Sequence, residues 1–425
     1  MALPGQQQPA AALAAHQPQA AAPVAPSARP PPLAPAAPAV AAPPPVFARP
    51  AAPAVPPQQT ACFAATPVAA APPAGGLSWQ LCWSTDAQDH NADPVSALAY
   101  LPALPGLPGG DNHPGWLVSS SRAMLNLWEC SHSGGRGEPA LTMMHSQATD
   151  YAYAALDADR ATQLLLGACI DRSGAECVGV HSLDVEGMLA FKARCPQPHP
   201  GAQRLPGQSC LAVASLHSFG AVLEGCVAAA YGGGIAVWPV GTAAHLNRPQ
   251  APRALWKAHS SRITVLHKSN FRLALFSGAD DGTVHMWSMR ERPTAPAASW
   301  QHGGRVAGVA QANEHQLVTA AADGRVMVWD LRQPALPLKF AVPDGKPVYR
   351  LSVSPFADCV AVATAGGLFS VDLLDAACHA TPIAAGAPSA PFTSLTWNAA
   401  TSEVVVGGGA GGSGSISVYR QRLPY

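Results

Sequence analysis

A histidine, a hydroxyl residue and an aspartate recur together twice in this chain: His259, Ser277 and Asp281, then His302, Thr319 and Asp323. A hydroxyl that imidazole can deprotonate, with a carboxylate to orient the imidazole, is the equipment of acyl transfer. The spacing argues against that chemistry. "ALFSGADDGTVHMWSMR" (Ala274 to Arg290) and "QLVTAAADGRVMVWDLR" (Gln316 to Arg332) align without a gap, and upstream "KAHSSRITVL" aligns with "WQHGGRVAGV". A nucleophile is not copied in register with a structural period, and the G-x-S-x-G elbow that exposes a hydrolase serine is absent. Each set is closed by a tryptophan, Trp287 or Trp329.

Other chemistry finds little support. There is no Walker-type loop, H-E-x-x-H pair or EF-hand loop. "DGK" at Asp344 to Lys346 lacks the upstream glycine of a phosphate loop, and Asp157 and Asp159 read as solvated loop carboxylates. The 10 cysteines are scattered without a C-x-x-C pair, so zinc-ribbon spacing is missing. They predict reduced, mostly buried thiols in a reducing compartment, the cytoplasm or nucleus. No catalytic residue, metal or cofactor is expected.

Composition narrows the partners. Charged residues make up 12% and the formal net charge is zero, so no global field attracts nucleic acid or an anionic membrane. No apolar run approaches the ~20 residues that span a bilayer. The start, "MALPGQQQPAAALAA", lacks the positive region of a secretory signal, and only Arg29 and Arg49 are charged in the first 75 residues.

The elements that must carry these residues are short strands. Asp281-Gly282 and Asp323-Gly324 each sit between two apolar runs, a strong hairpin signal because both residues tolerate positive φ. From residue 77 onward, apolar runs alternate with Gly, Asp, Asn and Pro punctuation and no long helical period intervenes. Residues 1–76 are almost all Ala, Pro and Gln, a composition predicted to stay solvated and disordered, partly as polyproline II.

The combination of His, hydroxyl, Asp and Trp at a period of about 40 residues resembles the WD-repeat (WD40-type) β-propellers. The resemblance is strongest over 255–332 and stays in phase elsewhere. It implies an all-β, seven-bladed propeller over 77–425. The Trp position falls on Trp128, His181, Trp238, Trp287, Trp329, Val371 and Tyr419. "LSWQLCW" (Leu77 to Trp83) resembles "ASWQH" and "ALWKAH" before later repeats, so it is expected to be the outer strand of the last blade, beside 391–420. The resemblance also implies that the Asp accepts from the His, the His bonds the hydroxyl, and the hydroxyl accepts from the Trp N–H. His259, Ser277, Asp281, Trp287, His302, Thr319, Asp323 and Trp329 then become structural residues.

What remains for function lies on the two faces. Arg262 and Arg305 each follow the repeat histidine, and the resemblance places them near the entrance of a central channel. There they could pair with an acidic or phosphorylated peptide. On the opposite face, the run ending in Trp329, Asp330 and Arg332 matches the extended WD-x-R signature of many substrate receptors of cullin-RING ubiquitin ligases, where the Arg meets the adaptor. Arg290 fits the same position, but Ser288 replaces the acid. The expected function is a non-catalytic protein–protein interaction scaffold, a monomeric propeller within a larger complex. The alternatives are a ligase substrate receptor, or a structural subunit of a coat, nuclear pore or ciliary assembly.

Overall fold

A computed structural model of the chain describes residues 78–422, except 86–92, 102–114, 133–138, 160–163, 184–188, 197–209, 217–225, 240–251, 386–387, 389, 399–401 and 409–413. The expectations for 1–76 lie outside the described residues. The chain divides into residues 1–69 and 70–425, and all described strands belong to the second. Among the described residues every regular element is a strand, and no helix is long and apolar enough to cross a membrane.

The strands form seven four-stranded antiparallel sheets, numbered here as blades. An N-terminal strand, β1 (Ser78–Ser84), precedes blade 1, which is β2 (Val95–Leu101), β3 (Trp116–Ser121), β4 (Met124–His132) and β5 (Pro139–Ala148). Blade 2 is β6 (Tyr151–Asp159), β7 (Leu164–Asp171), β8 (Glu176–Leu183) and β9 (Leu189–Pro196). Blade 3 is β10 (Cys210–Ser215), β11 (Cys226–Tyr231), β12 (Gly234–Pro239) and β13 (Ala254–Lys257). Blade 4 is β14 (Ile263–Lys268), β15 (Ala274–Ala279), β16 (Thr283–Ser288) and β17 (Ala298–Gln301). Blade 5 is β18 (Val306–Gln311), β19 (Gln316–Ala321), β20 (Val326–Asp330) and β21 (Pro337–Ala341). Blade 6 is β22 (Val348–Val353), β23 (Cys359–Thr364), β24 (Gly367–Asp372) and β25 (Ala380–Ala385). Blade 7 is β26 (Phe392–Asn398), β27 (Glu403–Gly408) and β28 (Ile416–Arg422), with β1 hydrogen-bonded to β28 as the fourth strand. Ser78 lies opposite Arg422 and Ser84 opposite Ser417.

The first strands β2, β6, β10, β14, β18, β22 and β26 each touch the next, and β26 touches β2, so they form the inner ring. The ring is a seven-bladed propeller. All seven inner strands carry a register shift near their start, for example between Ile263 and Val265, Val306 and Gly308, and Phe392 and Ser394. The bulged residue has a use of its own. Ser96, Thr264 and Thr393 each donate their hydroxyl to a carbonyl of the second strand, of Ser120, Gly278 and Gly407. A bulge re-aims its side chain and increases local twist, and these bulges line the axis.

Blades bury both faces, which is why second strands such as β23 read as unbroken apolar runs instead of alternating ones. In β23, Cys359, Val360, Ala361, Val362 and Ala363 are all buried. Val360, Val362 and Val371 pack on Val318, Ala320, Val326 and Val328 of blade 5, whereas Cys359, Ala361 and Ala363 pack on Trp397, Val404 and Val406 of blade 7.

Candidate functional site

Register makes the seven repeats comparable. Trp128, His181, Trp238, Trp287, Trp329, Val371 and Tyr419 all lie on the third strand of their blades. Each pairs with the same position of the second strand: Leu117, Leu165, Val227, Leu275, Leu317, Val360 and Val404. All seven are buried. Two residues further along the second strand is the hydroxyl position, occupied by Ser119, Gly167, Ala229, Ser277, Thr319, Val362 and Val406.

In blade 4 the indole Nε1 of Trp287 donates to Ser277 Oγ at 2.8 Å, and Ser277 Oγ lies 2.7 Å from His259 Nε2. An indole only donates, so the serine passes its own hydrogen to the imidazole. His259 Nδ1 meets Thr283 Oγ1 at 2.8 Å, and Thr283 donates to Asp281 Oδ1 at 2.5 Å. The expected direct bond from His259 to Asp281 is therefore replaced by a relay through Thr283. Burial pushes His259 down to about 4, with stacked His285 adding to the shift, so the imidazole stays neutral at physiological pH. Burial opposes the charge of Asp281, but Thr283, Ser260 and Ser261 outweigh it and hold the carboxyl down to about 2.

In blade 5 Trp329 Nε1 donates to Thr319 Oγ1 at 2.7 Å, and Thr319 Oγ1 lies 2.7 Å from His302 Nε2. His302 Nδ1 is 3.6 Å from Asp323 Oδ2, an ion-pair distance longer than a hydrogen bond. The direct Asp–His hydrogen bond expected from the family pattern is thus absent here as well. Asp323 instead accepts from the backbone N–H of Gly303 and Arg325, at 3.0 Å each.

The turn chemistry also differs from expectation. Only the glycine takes positive φ, at 80° in Gly282 and 79° in Gly324; Asp281 and Asp323 do not. Gly282 N–H bonds Ala279 O and Gly324 N–H bonds Ala321 O, so the aspartates sit inside a turn closed at the glycine. The reason is the carboxylate, which turns back to accept the N–H of Thr283 or Arg325 two residues on. A Cβ on Gly282 would lie 2.6 Å from His302 O.

The weaker blades solve the same problem differently. In blade 1 Trp128 donates to Ser119 at 2.8 Å. In blade 2 His181 Nε2 bonds Tyr153 OH at 2.7 Å. That phenol comes from the inner strand and occupies the space a hydroxyl residue would fill: a Cβ on Gly167 would lie 2.3 Å from its ring. In blade 3 Ala229 supplies no acceptor, and Trp238 Nε1 has no hydrogen-bond partner among the described residues.

The arginines lie as follows. Arg262 Nε donates to Asp280 Oδ2 at 2.9 Å, and Arg305 Nε lies 3.2 Å from Asp280 Oδ1. One carboxylate thus holds both, a partner the repeat pattern did not reveal because Ala322 replaces it in the next blade. Arg305 also lines the axial channel, of about 270 Å³, together with Arg350. Arg350, not singled out by sequence, donates to Thr393 O at 2.6 Å and Tyr349 O at 2.8 Å. Burial, and then the nearby Arg305, weaken its hold on its proton. No carboxylate is among the described residues that line the channel. At the opposite end of blade 5, Arg332 grips Asp330 through Nε at 2.9 Å and NH2 at 2.7 Å, and the same carboxylate accepts the Arg332 N–H. That grip holds the Asp330 carboxyl down to about 2. Arg290 is exposed. Among the described residues no group of three or more His, Cys, Asp or Glu is placed to hold a metal ion.

Two comparisons bear on this arrangement. The family model described as "WD domain, G-beta repeat" matches residues 250–288 and 296–330, which run from the last strand of blade 3 through blade 4 to the third strand of blade 5. A stretch of 113 residues is 26% identical to the SIR4-interacting protein SIF2 of Saccharomyces cerevisiae, covering 27% of this chain and 21% of that protein. The chain thus spans only about a fifth of the length of that relative. Residues 250–288 and 296–330 thus match the WD-repeat family model, and they lie in a ring of seven blades that repeat one register.

Proposed function

We propose that the protein is a non-catalytic protein–protein interaction scaffold, with the channel mouth near Arg262, Arg305 and Arg350 as its main docking face for an acidic or phosphorylated segment. The observation that carries this reading is the imbalance at the axis. Arg305 and Arg350 line a channel without a carboxylate in its described lining, and among the described residues Asp280 is the one carboxylate paired with Arg262 and Arg305. Guanidinium groups that carry few counter-charges favour carboxylate or phosphate partners. The would-be catalytic residues point the other way: Ser277 and Thr319 are wholly buried inside their blades, each saturated by a Trp and a His. The resemblance to a yeast protein named for an interaction agrees with the binding class. Reduced thiols fit the cytoplasm or nucleus. The test is fluorescence anisotropy with a labelled glutamate-rich peptide and its phosphoserine counterpart. Binding that weakens with salt and is lost in Arg305→Gln, at an unchanged melting temperature, supports the reading. Equal binding by wild type and variant refutes it.

The Asp330–Arg332 pair supports a second reading, the substrate receptor of a cullin-RING ligase. Arg332 is largely exposed and held rigid by its bidentate grip on Asp330. Co-purification of the ligase adaptor with wild type and its loss in Arg332→Ala supports this; no adaptor with wild type ends it.

A further inference from the structure

The stretch "CIDRSGAEC" (Cys169 to Cys177) is the turn between β7 and β8, and the function proposed above makes no use of it. Its two cysteines are direct cross-strand partners. Their sulfurs lie 3.5 Å apart, and the Cys169 thiol points at the Cys177 carbonyl at 3.5 Å. Directly opposed residues of an antiparallel pair have Cα atoms about 4.5–5.5 Å apart, within the ~4.4–6.8 Å span that a disulfide bridges. Both side chains are wholly buried in the layer between blades 1 and 2, with Leu125, Leu127 and Tyr153. The third cysteine of the blade, Cys195, packs on the other face of the sheet against blade 3. It cannot compete for either sulfur.

The surroundings of the two thiols differ from those of the other buried cysteines. Burial pushes Cys130, Cys195 and Cys359 up to about 12, as expected for inert core thiols. Cys177 is shifted the opposite way: the Cys169 thiol hydrogen-bonds it, and the Arg194 guanidinium beside it adds positive charge, which together outweigh burial. Arg194 is itself 41% exposed and ion-paired to Asp171 at 2.6 Å. It therefore links the thiol to the protein surface beside the exposed turn residues Arg172 and Ser173.

We propose that Cys169 and Cys177 form a redox-responsive dithiol that a peroxide closes to a cross-strand disulfide. The Cys177 thiolate attacks one oxygen of hydrogen peroxide, the O–O bond breaks, and Cys177 becomes a sulfenic acid as hydroxide leaves and takes up a proton. The Cys169 sulfur then attacks the Cys177 sulfur and the S–O bond breaks. The departing hydroxyl leaves as a second water with the Cys169 proton. Two thiols and one peroxide give one disulfide and two waters. The sulfurs close from 3.5 Å to about 2 Å.

Trypsin tests this directly because Arg172 lies between the two cysteines. The full chain is treated with hydrogen peroxide under native conditions, its remaining thiols are blocked with N-ethylmaleimide, and it is digested without reductant. The expected product is peptide 161–172 linked to peptide 173–192, two hydrogens lighter than their sum and separated by dithiothreitol. In Cys169→Ser, or Cys169→Ala should the serine variant fail to fold, the link is lost and dimedone labels Cys177. Recovery of both cysteines as maleimide adducts overturns the proposal. So does a link from Cys177 to any other cysteine, or a link that forms only in denaturant.

Discussion

Replacing Thr319 with valine removes one oxygen and keeps the shape of the side chain. That oxygen serves two partners, Trp329 Nε1 and His302 Nε2, each at 2.7 Å, and the residue is wholly buried. Each bond contributes ~1 kcal/mol net, and a buried group left unpaired costs about 1–3 kcal/mol. Stranding the indole N–H and one imidazole nitrogen therefore costs about 3 kcal/mol in all. For a domain of roughly 350 residues, unfolding entropy near the midpoint is about 0.7 kcal/mol/K, so the midpoint falls by about 4 °C. Differential scanning calorimetry at neutral pH reads that shift. A double-mutant cycle sharpens it. Once Thr319 is valine, Trp329→Phe removes a stranded N–H instead of a satisfied one. Its cost then drops by about 1 kcal/mol relative to wild type. A midpoint lowered by less than about 1 °C, or strictly additive variants, would refute the claim that the repeated residues act as internal wiring.

Three further outcomes follow from the same geometry. Gly167→Ala places a Cβ 2.3 Å from the Tyr153 ring and breaks its bond to His181, so the melting temperature falls sharply; Tyr153→Phe costs less, about 1–2 kcal/mol, by urea titration. Burial holds His259 and His181 down to about 4 against an ordinary 6.5. Both bind protons more weakly folded than unfolded, so stability is full above pH 6.5 and is lost as pH falls from 6.5 toward 4; a melting temperature flat across that window contradicts this. Asp280→Asn releases Arg262 and Arg305 from their shared carboxylate, shifting stability by under about 1 kcal/mol and raising affinity for the glutamate-rich peptide in anisotropy.

Legibility in the sequence followed repetition. Two copies in register identified Ser277, Thr319 and the tryptophans as interior residues, and phase alone located His181, Val371 and Tyr419 on the correct strands. Features carried by single residues were not visible. Thr283 stands in the blade 4 relay where Arg325 stands in blade 5, so the direct Asp–His bond was assumed for both. Tyr153 replaces a hydroxyl from a different strand, which no spacing encodes. Asp280 has an alanine in the twin repeat, and Arg350 sits where Val265 and Gly308 occupy the inner strands of blades 4 and 5. The Asp-Gly turns were recognised, but their conformation was set by what the carboxylate accepts, a tertiary demand that the dipeptide does not announce.

The central claim separates inward wiring from outward binding, and one crossed comparison tests it. Wild type, Thr319→Val and Arg305→Gln are each recovered from cells by affinity purification, with bound proteins quantified by mass spectrometry and melting temperature measured on the same samples. The account predicts that Thr319→Val lowers the melting temperature and keeps the wild-type partner, whereas the arginine variant keeps the melting temperature and loses it. A partner lost with Thr319→Val and retained by the arginine variant would contradict the account.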